Sequence, residues 1–210
     1  MKLQNPSLSK ISALLVLCTA AASASAQTIV LDTYGPGNAV DGWPTLVFQD
    51  SSGRQDVAIP FVIGASTDIQ SILTSLDGLG GVTVGIMAKL GTVPAGNTWL
   101  YSKHLVDPVF NTAFTPSTWT LAPGNYWLAA VADNGFSGSW QSGTDTPTAN
   151  WAYRDSPSAW KTLSSTFIGM PAARISISAV PEPSTYGLML AGGLLVAGVC
   201  LRRSKNGGQA

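Results

Sequence analysis

Two apolar stretches, one near each end of this 210-residue chain, leave only the segment between them to fold as a water-facing domain. The first stretch covers residues 11–22 and the second covers residues 186–201. The two cysteines, Cys18 and Cys200, fall inside these stretches, so the middle segment contains none. The middle therefore has no internal disulfide and needs an apolar core for its stability.

The N-terminal end, residues 1–26, has the order of parts found in a secretory signal peptide. Two early lysines come first, then the apolar stretch, then small residues at Ala24 and Ala26. Signal peptidase accepts only small side chains before the bond it cuts, so we expect cleavage between Ala26 and Gln27. This order predicts that signal peptidase processes the chain and that the rest is exported.

The C-terminal end, residues 180–205, reads as a second targeting segment. Pro181-Glu182-Pro183 precedes the apolar stretch, and Arg202 and Arg203 follow it. The prolines fix φ and remove backbone donors, which favours an extended, exposed tripeptide. Residues 186–201 predict a short transmembrane helix of about 24 Å. The flanking arginines predict that its C-terminal end faces the cytoplasm, with the domain outside.

This C-terminal segment resembles the PEP-CTERM sorting tail, which is also labelled the ice-binding protein C-terminal domain. The tripeptide, the apolar run and the basic end occur in that family's order. The resemblance implies a Gram-negative host and recognition of Pro181, Glu182 and Pro183 by an exosortase, a membrane transpeptidase. It implies a protein anchored in the membrane transiently or permanently, then placed at the cell surface or outside the cell. No repeated Thr array supports ice binding by the middle segment.

The middle segment, residues 27–179, alternates apolar and polar residues with a period of two. Val57, Ile59, Phe61 and Ile63 show the pattern most clearly, and turn signals rich in Gly, Pro, Asn and Asp separate such runs. This predicts an all-β antiparallel β-sandwich, jelly-roll-like in arrangement. Residues 121–128 also resemble a hairpin common in choice-of-anchor outer domains, which implies a β-sandwich as well.

Residues 68–79 fit two kinds of element. Ile69, Ile72, Leu73 and Leu76 follow the i, i+3, i+4, i+7 spacing of a helix. The neighbouring segments, however, are predicted strands, and we favour a strand here for that reason.

Charge and residue types argue against several classes of function. The middle segment has six basic residues against ten Asp, a net charge of −4 without a basic cluster, so nucleic acid is not an expected partner. His104 is the only histidine, and no Gly-x-Ser-x-Gly elbow accompanies it. Calcium at Asp133-Asn134-Gly135 and Asp145 is a weaker interpretation than a plain turn. We expect no catalytic residue, no metal and no cofactor.

Tryptophan is the residue type that points to a ligand. Trp140, Trp151 and Trp160 lie in a region rich in Gly, Ser, Thr and Asp. Exposed aromatic rings stack on sugars, so these residues predict an exopolysaccharide-binding face. The alternative, which we favour, is that they pack under loops as core residues, as we also expect for Trp127 in its strand.

Three functions follow, in order of support. The first is a non-enzymatic structural or adhesive protein of the cell envelope or biofilm matrix, sorted by an exosortase. The second is a carbohydrate-binding module that uses exposed tryptophans. The third is a secreted hydrolase that depends on His104.

Overall fold

The structure is a computed structural model, and it describes residues 27–144, 150–155, 159–164, 169–178 and 192–193. The chain divides into two compact units, Met1–Ser178 and Ala179–Ala210. Within the described ranges, no helix has both the length and the apolar character that a membrane span needs. The predicted signal peptide lies outside the described residues, as do the sorting tripeptide, Arg202 and Arg203. Gly192 and Gly193 are the described part of the predicted transmembrane helix.

The described part of the first unit is made of β-strands joined by turns, which confirms the all-β prediction. In chain order the strands are β1 (Gln27–Asp32), β2 (Val40–Asp50), β3 (Gly53–Ile63), β4 (Thr67–Thr74), β5 (Leu76–Leu79), β6 (Gly81–Leu90), β7 (Val93–Val106), β8 (Thr112–Phe114), β9 (Thr120–Leu121), β10 (Gly124–Ala132), β11 (Ser137–Gly143), β12 (Asn150–Asp155), β13 (Lys161–Ser164) and β14 (Ala173–Ser178). A 3₁₀ turn over Pro36–Asn38 lies between β1 and β2.

The strands form two antiparallel sheets. The smaller sheet has the order β1-β14-β4-β8, and β9 also pairs with β4. The larger sheet has the order β5-β11-β2-β3-β10-β6-β7, and it curls like half a barrel. β3 also pairs with β12, on the edge opposite to β2, because Gln55 has a partner in each of these two strands; β13 continues from β12.

The main core contains the residues whose alternation the sequence shows. Val57, Ile59, Phe61 and Ile63 of β3 are all buried, as are Val82, Val84 and Ile86 of β6 and Ile175 of β14. Burial of each such side chain stabilises the fold by roughly 1.5–3 kcal/mol. The period-two prediction is therefore confirmed for these strands.

A second apolar cluster covers part of the other face of the larger sheet. Ala58 pairs with Ala129 of β10 on one side and with Ala152 of β12 on the other. These three small side chains leave space for Trp127 and Trp160, which are buried in the same cluster. Strands in this region are thus buried on both faces, which simple alternation does not predict.

Residues 68–79 form β4 and β5, which confirms the strand interpretation. The register of β4 against β14 shifts between Ser71 and Ile69, so Gln70 is an extra residue on β4. This irregularity changes the side-chain alternation, and Ile69 and Ile72 can both face the core. The bulge therefore explains why a strand has apolar residues at helical spacing.

The three tryptophans proposed as a sugar-binding face are buried. Trp140 is 0% exposed, Trp151 is 2% exposed and Trp160 is 6% exposed. The Nε1 atom of Trp140 donates a hydrogen bond to the carbonyl oxygen of Ala172 at 2.8 Å. Since none of these rings offers a face to solvent, the prediction of an exposed stacking surface at these residues is wrong. They pack as core residues, whereas Trp43 on β2 is 73% exposed.

Iodide quenching of tryptophan fluorescence tests this assignment. Trp43→Phe should produce the largest fall in the quenchable fraction, because iodide reaches only rings that contact water. Trp140→Phe should leave that fraction unchanged, with a thermal melt to verify that the variant is folded. A larger effect from Trp140→Phe than from Trp43→Phe would contradict the burial described above.

Candidate functional site

The first and last strands of the domain bring its two ends together. Gln27 begins β1 and Ser178 ends β14, and these two residues are direct partners in the antiparallel register. The side chain of Gln70 donates a hydrogen bond to the Ser178 hydroxyl at 2.6 Å, and Thr67 donates one to the Ser178 carbonyl oxygen at 3.2 Å. The residue after the predicted signal cleavage therefore lies beside the last residue of the final strand.

These contacts give the domain two recognisable poles. Residues 64–66 connect the end of β3 to Thr67, so the end of β3 lies near Gln27 and Ser178, at what we call the terminal pole. β3 has 11 residues and spans roughly 33 Å at the usual rise of an antiparallel strand. Its first residue, Gly53, and the β2–β3 turn therefore lie at the opposite end, which we call the distal pole.

A buried carboxylate organises the distal pole. Asp56 is fully buried, and one of its oxygens accepts hydrogen bonds from Arg54 Nε at 2.7 Å and from Arg154 Nε at 2.9 Å. Its other oxygen accepts the backbone N–H of Ala132 at 3.0 Å. Arg154 also donates to the side-chain oxygen of Asn97. A buried charge needs such partners, and here two guanidinium groups supply them.

The ring of Trp160 packs against the guanidinium group of Arg154. The guanidinium carbon of Arg154 lies 4.9 Å from the centre of the Trp160 ring, which is a cation–π contact. The Nε1 atom of Trp160 donates to the carbonyl oxygen of Gly96 at 2.9 Å. Trp160 thus positions an arginine instead of stacking on a sugar.

Arg54 and Arg154 line a surface pocket of about 670 Å³ at the distal pole. Its lining residues are Gln49, Asp50, Ser51, Ser52, Gly53, Arg54, Asn97 and Arg154. The Asp50 carboxylate accepts the Ser52 backbone N–H at 2.7 Å, and the Ser52 hydroxyl donates to it as well. These hydrogen bonds lower the pKa of Asp50, so its carboxylate is charged at neutral pH. The pocket therefore offers both donors and acceptors to a polar ligand.

His104 lies near the distal pole but outside this pocket lining. Its Nε2 atom is 2.7 Å from Oδ2 of Asp133, and both side chains are about half exposed. A Cβ atom on Gly81 would come within 2.7 Å of both atoms, so glycine is what allows this approach. A polar contact this exposed to water contributes little to stability. The hydrolase hypothesis, which depends on His104, stays a prediction.

The structure has a turn at Asp133-Asn134-Gly135, the segment considered above for calcium. The backbone N–H of Phe136 donates to the carbonyl oxygen of Asp133 at 3.0 Å, and Gly135 has a φ of 86°. Asp145 lies outside the described residues. In the part of the chain that the structure describes, no three His, Cys, Asp or Glu side chains are grouped as a metal site would need.

Substituting the buried carboxylate should destabilise the domain strongly. Asp56→Asn leaves Arg54 and Arg154 without a counter-charge, and we expect the free energy of unfolding to fall by about 3 kcal/mol. The matched control is Asp155→Asn, which removes an exposed carboxylate paired with Lys161 and should change stability little. Urea denaturation of both variants measures the difference, and equal midpoints would show that Asp56 is not the organising charge.

Comparison with known proteins adds one finding. Residues 179–204 match the family model described as the PEP-CTERM protein-sorting motif. The search of curated proteins and the search of solved structures each gave no match.

The matched segment contains the predicted sorting residues Pro181, Glu182 and Pro183 as well as the two flanking arginines. It begins at Ala179, directly after the last residue of β14. The motif implies export, processing by an exosortase, and association with the membrane or cell surface. The chain is therefore an exported protein that carries a PEP-CTERM protein-sorting motif at its C-terminal end.

Proposed function

We propose that this protein is a non-enzymatic structural or adhesive component of the cell envelope or biofilm matrix. The observation that carries the proposal is the pairing of Gln27 with Ser178, which places both ends of the domain at the terminal pole. The sorting motif follows Ser178 at once. The distal pole is then the part of the domain furthest from the attachment point and is free to contact surrounding material.

The position of β14 suits a tail that is processed after export. β14 is an interior strand, with β1 on one side and β4 on the other, and its described pairing runs up to Ser178. Removing residues beyond it takes away none of the strands β1–β14. An exosortase can therefore act on the tail while the domain stays folded.

The nature of the buried polar groups also favours a structural role. Buried Asp56 accepts hydrogen bonds from both Arg54 and Arg154, which is typical of a stabilising cluster. Trp140, Trp151 and Trp160, the residues on which the carbohydrate-binding alternative rested, contribute to the core. A role based on a stable, surface-displayed domain is consistent with both features.

Processing can be followed by intact-mass analysis of the protein from its host. In a strain without the exosortase, we expect the chain to begin at Gln27 and to retain its C-terminal segment. Glu182→Gln in the normal strain should have the same effect, because it removes the charge of the sorting tripeptide. Asp68→Asn, an equal change of charge at an exposed residue of β4, is the control and should leave processing unchanged. Normal processing of Glu182→Gln would show that Glu182 is not recognised.

The non-enzymatic role is tested by complementation. Deleting the gene should reduce the cohesion of surface-attached cells, and the wild-type gene should restore it. His104→Ala should restore it equally well, because the proposed role needs no general base. Restoration by wild type but not by His104→Ala, when both are displayed in equal amounts, would favour the hydrolase instead.

A further inference from the structure

We propose that the pocket at the distal pole binds an acidic saccharide. Arg54 would hold the carboxylate, and the neighbouring amide, hydroxyl and carboxylate groups would hold the sugar hydroxyls. This inference goes beyond the structural role proposed above, because it assigns a ligand class to the pocket. The pocket is also a different site from the exposed tryptophan face considered in the sequence analysis.

Arg54 has the donors that a carboxylate needs. Its Nε atom donates to Asp56, while its Nη1 and Nη2 atoms make no hydrogen bond to the described residues, and its side chain is 27% exposed at the pocket wall. A guanidinium group fixed through one nitrogen presents its remaining N–H groups in a plane. That arrangement matches the two oxygens of a carboxylate.

The charges around the pocket balance once Asp50 is counted, but they are separated, which suits a ligand that has one acidic group beside neutral hydroxyls. Buried Asp56 compensates one of the two positive charges of Arg54 and Arg154, so one positive charge remains on the pocket wall. Asp50 stands on the rim with its carboxylate charged. The Asp50 carboxylate would repel a small, purely anionic ligand such as phosphate. A uronic acid instead has hydroxyl groups that can donate hydrogen bonds to that carboxylate.

The remaining lining residues suit hydroxyl groups. Gln49, Ser51, Ser52 and Asn97 provide amides and hydroxyls, which both donate and accept hydrogen bonds. A sugar ring carries several hydroxyls that do the same. The pocket volume of about 670 Å³ lies within the range of small-molecule sites in proteins.

The wall of the pocket is also held in place before any ligand arrives. Arg154 is fixed by Asp56, by Asn97 and by the ring of Trp160 beneath it. Asp50 and Ser52 are joined in the β2–β3 turn. Preorganised groups lose little freedom on binding, which raises affinity.

Calorimetric titration of the full-length chain in mild detergent tests the proposal. The probes are a tetramer of galacturonic acid and maltotetraose, a neutral tetramer of equal length. We expect wild-type protein to bind the acidic tetramer, and Arg54→Gln to weaken this binding about tenfold through loss of a charge-assisted contact. Arg174→Gln is the matched control: Arg174 is 28% exposed and also pairs with an Asp through Nε, but it lies on β14 of the smaller sheet. It should bind like wild type.

A second variant covers the case in which Arg54→Gln fails to fold, as judged by its thermal melt. Ser51 is exposed in the turn and has no hydrogen-bond role among the described residues, so Ser51→Ala should fold and weaken binding about threefold. Three results would overturn the proposal: no binding of the acidic tetramer by wild type, equal binding of both tetramers, or equal weakening by Arg54→Gln and Arg174→Gln. Displacement by inorganic phosphate at the same concentration would also overturn it, since it would show a simple anion site.

Discussion

The antiparallel pairing of β1 with β14 holds the ends of the domain together, and the smaller sheet depends on it. Thr33, just after β1, strengthens the join: its buried hydroxyl donates to Pro171 O at 2.8 Å and accepts the Ala173 N–H at 2.8 Å. These contacts connect residues about 140 positions apart in the chain. The smaller sheet therefore cannot close until nearly the whole domain is available to fold, and such long-range pairing makes folding slow. Sorting at residues 179–204 comes after the last of these strands.

The Asp56 cluster plays a similar part in the larger sheet. It joins β3 to β12 through Arg154 and reaches the start of β7 through Asn97, while Trp160 connects the same arginine to the second apolar cluster. In a chain with only 10% charged residues, placing three of them at one buried point needs a reason. Here Arg154 packs against Trp160 of the second apolar cluster, and both Arg54 and Arg154 line the pocket. One arrangement thus stabilises the fold and shapes the pocket.

Sequence patterns predicted the local features of the fold well. Alternation identified β3, β6 and β14, because every second residue of a strand points to the same face and the core-facing residues are apolar. The strand over residues 68–79 was predicted only from its neighbours, since the bulge at Gln70 disguises the alternation. The Asp56–Arg154 pair, 98 residues apart, left no signal in the sequence, and neither did the apolar cover over Ala58. The sequence left the exposure of the tryptophans open for the same reason: a polar neighbourhood in sequence says little about which strands lie beside Trp140 in space.

The sorting motif and the folded domain occupy adjacent but separate segments of the chain. The sorting motif covers residues 179–204, and the described pairing of β14 runs up to Ser178, one residue before the match begins. Because β14 is paired on both sides, force or cleavage beyond Ser178 acts on the end of an interior strand. Pulling there shears the many hydrogen bonds of β14 together, whereas an edge strand is held on one side alone. Attachment through β14 therefore places any load on a strand that has partners on both sides.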